Sequence, residues 1–373
     1  MCCFFIEVKS KKERFITVTL KEKLYNIAKS MIKGVTSFCF FMLALPLFAQ
    51  LGGASTYQFL NLVSSPRQAA LGGKIITNFD HDVTEGLYNP ASINYEMGNQ
   101  LAVNYSNYLG GISYGTAAYA YTWDRHVQTL HIGVTYINYG TFDGYDVNGV
   151  STGTFKGNEA AISAGYNYNI PFTDFYVGAN VKLITSSLEQ YNSIGGAIDL
   201  GAMYINEALD FHAAITVRNL GTQFTTYAGQ NEPLPFEVNF GMSQTLENVP
   251  LRWHLTLDNL QQWPIGVSNP ARATTDLDGN QTQEKLSFFN KGLRHLILGA
   301  ELFPEGGFNV RLGYNFRRAE ELRIEDQRNF SGLSVGIGIK LNKMRFSYTH
   351  ARYASASNTS FFGLQIDLDG SRR

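Results

Sequence analysis

From Asn99 to the C-terminus, segments of roughly ten residues alternate apolar and polar with period two, and turn residues separate them. A strand puts successive side chains on opposite faces, so each such segment offers one greasy surface and one polar surface. Phe236, Val238, Phe240 and Met242 point one way while Glu237, Asn239, Gly241 and Ser243 point the other. Leu251, Trp253, Leu255 and Leu257 oppose Arg252, His254, Thr256 and Asp258. The same holds for Phe308, Val310, Leu312, Tyr314 and Phe316 against Asn309, Arg311, Gly313, Asn315 and Arg317, and for Leu333, Val335, Ile337, Ile339 and Leu341 against Ser334, Gly336, Gly338 and Lys340. The pattern predicts fourteen strands, at 99–107, 111–123, 128–139, 155–170, 174–186, 193–206, 208–219, 234–247, 250–259, 292–303, 307–317, 331–341, 343–353 and 358–368.

Every second connection is then short: Asp124–Val127, Pro171–Thr173, Glu207, Asn248–Val249, Pro304–Gly306 and Asn342. The others include the long pieces Gly140–Thr154, Gly221–Pro233, Leu260–Lys291 and Arg318–Phe330, with Tyr108–Gly110 as a short exception. Short turns at one end and long loops at the other characterise an outer-membrane barrel with both chain ends on the periplasmic side. A soluble sandwich would alternate in the same way, but its strands average about five or six residues. These run near eleven, the length that crosses a bilayer at a tilt. Their polar face carries Lys182, Arg218, Glu237, Arg252, Glu301, Arg311, Lys340 and Arg345, which a wet or plugged lumen tolerates and a dry core does not. The fold expected is all-β: a transmembrane outer-membrane β-barrel of about fourteen antiparallel strands, residues 99–373, facing outer-membrane lipid.

Composition agrees: 44% of the 373 residues are hydrophobic and 16% charged, with glycine and aromatics filling the difference. The apolar run Val35–Leu45 behind Lys33, followed by Pro46-Leu47-Phe48-Ala49, has the layout of a secretory signal peptide cleaved after Ala49. Residues 1–49 thus read as leader and signal, with translation starting at Met1 or at Met31. Eight of the 30 basic and three of the 31 acidic residues precede residue 50, so 22 basic and 28 acidic residues follow, a net charge of −6. That balance, without a basic run, gives no footprint for nucleic acid. Cys2, Cys3 and Cys39 all precede the cut, so the mature part has neither a disulfide framework nor a thiolate metal site.

Residues 50–98 do not alternate, and an N-terminal hatch folded into the lumen is the expected place for them. They contain Thr56-Tyr57-Gln58-Phe59-Leu60, then Ser65-Pro66-Arg67-Gln68-Ala69-Ala70-Leu71-Gly72-Gly73, Asp80 and Tyr88-Asn89-Pro90-Ala91. These motifs resemble the start of the PorV/PorQ group of barrels related to the FadL fatty-acid transporters, with the Tyr-Gln-Phe-Leu stretch pointing to the PorQ branch and the likeness extending over residues 50–373. The resemblance implies an outer-membrane component of the type IX secretion system that anchors a surface protein, PorZ, within an attachment complex containing PorU and PorV. It brings no catalytic residue with it.

Candidate chemistry is sparse. Gly111-Ile112-Ser113-Tyr114-Gly115 matches a nucleophile elbow in letters, but Thr116–Trp123 continues as strand where an elbow needs a helix. Asp276-Leu277-Asp278-Gly279-Asn280 opens like a calcium loop, yet its glycine is two positions early and Glu284 is too near to close it. Asp80-His81-Asp82 with Glu85 could hold a metal, though hydrogen bonding to the wall accounts for them as well. Gly336 and Gly338 are followed by no helix and read as inward positions of close approach. No enzyme activity, cofactor or metal is expected.

Exposed aromatics in the outer loops, Tyr145, Phe224, Tyr227 and Trp263, are where a partner protein could be gripped, unless they belong to the girdle at the membrane boundary. The loop Leu260–Lys291 is long enough to fold on such a partner. Two functions fit: a plugged interaction barrel, or a FadL-like transporter of hydrophobic small molecules needing a greasy pocket beneath the hatch. The charged inward positions favour the first.

Overall fold

The first and last strands of the wall meet. Gln100–Asn107 pairs antiparallel with Ser357–Asp367, from Gln100 opposite Asp367 to Asn107 opposite Ser360, and this closes the sheet into a cylinder. The structure is a computed structural model and describes residues 55–108, 110–124, 128–263, 265, 274–275, 281–282, 287–322, 330–354 and 357–368, all within the unit Gln50–Arg373. The expected leader and signal, the calcium-like run Asp276–Asn280 and much of Leu260–Lys291 lie outside the described residues.

Around the cylinder run β1 (Gln100–Asn107), β2 (Ser113–Asp124), β3 (Gln128–Tyr145), β4 (Ser151–Asn169), β5 (Phe175–Leu188), β6 (Tyr191–Asn206), β7 (Phe211–Thr225), β8 (Glu237–Thr245) and β9 (Leu251–Leu257). A two-residue pair, β10 (Thr274–Thr275) and β11 (Gln281–Thr282), stands apart. The wall resumes with β12 (Leu296–Leu302), β13 (Phe308–Asn315), β14 (Leu333–Leu341), β15 (Met344–Ala354) and β16 (Ser357–Asp367), so fourteen antiparallel strands close it. Among the described residues no helix is long and apolar enough to cross a membrane.

The two faces are sorted inside out relative to a soluble protein. On β13, Leu312 is 43% exposed while the adjacent Arg311 is 1% exposed. On β14, Val335 and Ile337 are exposed and Ser334, Gly336 and Gly338 are covered. Greasy side chains outside and hydrogen-bonding groups inside, on a sheet with no free edge, is the architecture of an outer-membrane barrel. Of the eight charged positions expected to face inward, Lys340 is the exception: it lies exposed near the end of β14, where the chain turns through Asn342 with φ 52°.

Strand lengths depart from the expected near-uniform eleven. They run from 7 residues in β9 and β12 to 18 in β3 and 19 in β4. Gly140–Thr154 is therefore a ribbon rather than a loop, because Gly140–Tyr145 pairs with Ser151–Gly157 beyond the last β2 partner, Asn138. A bulge between Asn138 and Gly140 shifts the alternation there. Likewise β7 runs to Thr225, and the β5–β6 connection is a tight turn through Glu189 at φ 58° rather than one of the long loops. The 307–317 strand ends at Asn315, whose side chain accepts from Arg318 N at 2.9 Å and caps a short helix, Phe316–Glu321. The strand placed at 292–303 starts at Leu296, since the helix Phe288–Leu293 occupies its beginning.

Residues 55–98 form short helical turns packed against the wall. Ser65 accepts from Gln68 N at 3.2 Å and, with Pro66 at the first position, starts the helix Pro66–Ala70, here α1. The Ala69-Ala70-Leu71-Gly72-Gly73 run then lies against glycines of the wall. A Cβ at Gly313 would overlap the backbone of Leu71 and Gly72, and one at Gly336 would meet Cβ of Ala70. Asn89 holds the Pro90-Ala91-Ser92 turn by accepting from Ala91 N at 2.9 Å and donating to Ile76 O at 2.6 Å. That turn is seated on Gly178 of β5 and Gly201 of β6, where any side chain would strike Pro90 or Ala91. Sequence motif and wall glycines are thus complementary parts of one contact.

Candidate functional site

Charged groups tie residues 55–98 to the wall. Arg67, 3% exposed, places Nη2 2.8 Å from Oε2 of Glu301 on β12 and Nη1 2.8 Å from Oδ2 of Asp80. Lys74 pairs with Glu237 on β8, and Arg218 on β7 reaches the same carboxylate at 3.2 Å. The Arg218 guanidinium also donates to Leu60 O at 3.1 Å and lies 3.6 Å above the Tyr88 ring. Lys182 on β5 pairs with Asp199 on β6 at 2.6 Å and donates to Asn219 Oδ1 at 3.0 Å. A buried ion is tolerable only when paired and hydrogen-bonded; Arg67–Glu301 and Lys74–Glu237 meet that condition between segment and wall, and Lys182–Asp199 and Arg218–Glu237 meet it between adjacent strands.

The electrostatics of the segment follow from this. Burial by itself would raise the Asp80 carboxyl, but Arg67 overrides it, then His81 and Arg252, and holds it well below the usual carboxylate range. Glu85 has no such cation in contact. Burial, then the charge of Asp82, pushes its carboxyl up to about 8 although Gln68 and Asn78 donate to it at 3.0 and 2.9 Å. Asp80, His81, Asp82 and Glu85 do not converge. Asp80 serves Arg67, the side chain of Asp82 caps Thr84 N at 3.1 Å, and the His81 carbonyl accepts from Gln365. Among the described residues no group of three or more His, Cys, Asp and Glu side chains could hold a metal.

At the end of the barrel bearing the longer connections, a cavity of ≈ 240 Å³ opens between the segment and the helix Phe316–Glu321. Lys74, Asp258, Arg317, Arg318 and Tyr353 line it. Arg317 donates to Asp258 Oδ2 at 2.7 Å, and that carboxylate raises the guanidinium further. Arg318 is fixed by Ser331 O at 2.8 Å and Ser334 Oγ at 2.6 Å. Below the β3–β6 end sits a second polar cluster: Tyr57 with Ser193, Gln223 Nε2 donating to Ser193 Oγ at 3.0 Å, and Tyr139 donating to the buried Glu159.

The four aromatics expected in outer loops occupy different settings. Tyr145, 64% exposed, is the last residue of β3, beside Val147 and Val150 in the connecting turn. Phe224 is a strand residue of β7, folded over Gly196 on the outer face, rather than a loop residue. Tyr227 is half-buried, donates to Ser186 Oγ at 2.5 Å and packs 6.4 Å from the Tyr57 ring. Trp263 stacks 5.2 Å from His295 and lies 5.1 Å from Phe288. Tyr145 and Phe224 are the most exposed of the four, at 64% and 65%. The inward ion pairs involving Arg67, Lys74, Asp258 and Arg317 escaped the sequence reading as pairs, though Glu237, Glu301 and Arg218 were visible as charges on a polar face. Ser113, the serine of the elbow-like run, begins β2, and strand continues to Asp124.

No family model matches the chain. No curated protein matches it either. Solved structures similar to it include the TodX monoaromatic hydrocarbon channel, as its deltaS2 mutant, at TM-score 0.47 and 12% identity over 81% of this chain and 96% of that one. A Pseudomonas aeruginosa FadL homologue has TM-score 0.43 and 9% identity, covering 83% and 99%. The KdgM porin has TM-score 0.33 and 9% identity, covering 72% and 99%. Likeness of this degree carries no argument about function, and the barrel assignment stands on the strand pairing itself.

Proposed function

We propose that the protein is a plugged, non-enzymatic outer-membrane barrel whose N-terminal hatch closes the lumen and whose outer end anchors a surface protein. The outward apolar face supports a place in the outer membrane, because such a surface is stable only against lipid. The single observation that carries the plugged reading is the set of buried ion pairs joining Arg67 and Lys74 to Glu301 and Glu237. Among the described residues, the spaces between segment and wall include a ≈ 20 Å³ cavity beside Leu60 and Lys182, one of ≈ 120 Å³ beside Phe79 and Thr129, and the ≈ 240 Å³ polar opening beside Lys74 and Arg317. A lumen cross-braced by charge is a poor path for a greasy solute, which favours an anchor over a FadL-like transporter of hydrophobic molecules. Through the PorV/PorQ resemblance the anchor is assigned to the type IX secretion system, with a PorZ-like surface protein as partner beside PorU and PorV.

The test is purification of the native, detergent-solubilised barrel from its own cells. A surface protein in stoichiometric amount, lost when the Tyr145–Val150 tip is shortened to a two-residue turn, supports the anchor. Bound apolar small molecules and no protein partner overturn it in favour of transport.

A further inference from the structure

At the end of the barrel that carries the short connections, a cavity of ≈ 120 Å³ opens between the segment and strands β3, β4 and β5. Three rings bound it: Phe79 and Tyr95 from the segment and Tyr176 from β5. Phe79 and Tyr176 pack at 4.8 Å with their planes tilted by 53°. Tyr95 is 56% exposed. The membrane girdle does not account for that ring, because Tyr95 belongs to the segment packed on the polar face of the wall and not to the lipid-facing row. Asparagines supply the rest. Asn94 fixes the turn that presents Tyr95: its Oδ1 accepts from Glu96 N at 2.8 Å, and its Nδ2 donates to Asp80 O and Ser92 O at 3.0 Å each. Asn167 on β4, 7% exposed, gives Nδ2 to Ala91 O and Ile93 O at 3.0 and 2.5 Å, and its Oδ1 has no partner among the described residues. Asn169 follows on the same face of β4, half-buried; neither its side chain nor the hydroxyls of Tyr95 and Tyr176 make a hydrogen bond among the described residues.

Size and chemistry narrow the ligand. An engineered cavity of about 150 Å³ takes benzene, so ≈ 120 Å³ with an open mouth takes a six-membered ring. A hydrocarbon ring would strip water from the asparagines without replacing its hydrogen bonds, which is costly. An ion would find no opposite charge, since among the described residues no charged side chain lines the cavity. A neutral ring with hydroxyl or amide groups at its edge and C–H bonds on its faces meets both demands. Its edge donates and accepts at the asparagines while a face lies on the aromatic rings.

We propose that this cavity binds one pyranose ring of a neutral or N-acetylated sugar. The short-turn end of an outer-membrane barrel faces the periplasm, so the ring belongs either to the glycan strands of the cell wall or to a free saccharide in that compartment. The site is independent of the partner-anchoring reading, which concerns the opposite end of the barrel.

The experiment uses the intact barrel in a polyoxyethylene detergent, which has no sugar headgroup to compete. Saturation-transfer NMR with N,N′-diacetylchitobiose and with cellobiose shows transfer to the ring protons of at least one of them. Tyr95→Ala removes the exposed ring face, and Asn169→Leu removes the amide at similar size. Each weakens binding by about tenfold or more while the barrel keeps the heat-modifiable gel mobility of the parent. Co-sedimentation with purified, insoluble cell-wall glycan, lost in Tyr95→Ala, assigns the ring to the wall; disaccharide binding without co-sedimentation assigns it to a free saccharide. No transfer from the parent barrel to either disaccharide overturns the proposal, whether or not the variants fold. So does binding that both variants leave unchanged.

Discussion

Arg67 and Glu301 lie 234 residues apart in the chain and 2.8 Å apart in space. Their contact joins α1 to β12, with Arg311 completing the carboxylate. Arg67→Met strands the acids it serves, and loss of one partner from a buried pair costs about 3–5 kcal/mol. Urea unfolding of the detergent-held barrel shows that loss, and protease reaches residues 55–98 sooner than in the parent. Unchanged urea and protease profiles would mean the pair does not hold the segment.

Gly313→Val tests the seating of the segment without touching a charge. A side chain at Gly313 enters the backbone of Leu71 and Gly72, which cannot swing aside as a flexible side chain would. The barrel keeps its heat-modifiable mobility on gels because the valine suits a strand. Single-channel conductance in planar bilayers rises from near zero, as the displaced segment opens the lumen. A closed channel in a well-folded variant counts against the plugged reading.

Alkaline pH loosens the segment. In the packed state Glu85 titrates at about 8, whereas a released glutamate titrates at its ordinary value of about 4.3. Between these values the packed form holds a proton that the released form has given up. The stabilisation from protonated Glu85 is therefore complete at low pH and is lost as pH rises through about 8. A spin label at the exposed Gln58 gains mobility between pH 7 and 9, and Glu85→Gln removes that transition. Persistence of the same transition in the variant would assign it to another group.

Ile162 faces outward near the middle of β4 and is 55% exposed without lipid. Ile162→Arg puts a charge in the apolar band, at a cost of about 2–4 kcal/mol near the midplane. Folding into lipid vesicles, followed by tryptophan fluorescence against urea, shows the deficit, while the same protein in mild detergent loses less.

Much of the wall was legible because lipid on one side and polar contacts on the other impose a strict period of two. All fourteen strands of the closed sheet fall where the alternation puts them, with shifted ends. The pattern fails where the bilayer stops imposing it. At Asn138, Lys156 and Asn158 the residues turn polar, and past the Asn138–Gly140 bulge the ribbon keeps its ladder without its period. That is why Tyr145 reads as a loop residue. Charges on the polar face were legible individually, but Lys74 meeting Glu237, or Arg67 meeting Glu301, depends on contacts that no local spacing encodes. The glycines of the wall carried a faint signal: Gly336 read as a position of close approach, and Ala70 is what approaches it.

The pairing of β1 with β16 has a temporal meaning too. Until the last eleven wall residues, Ser357–Asp367, arrive, two strand edges stay open and can capture any neighbouring chain. Such a seam, between the first and last strands of the wall, is a contact of long sequence separation and hence slow to form. A copy lacking Ser357–Asp367 keeps both edges exposed and is a seed for aggregation.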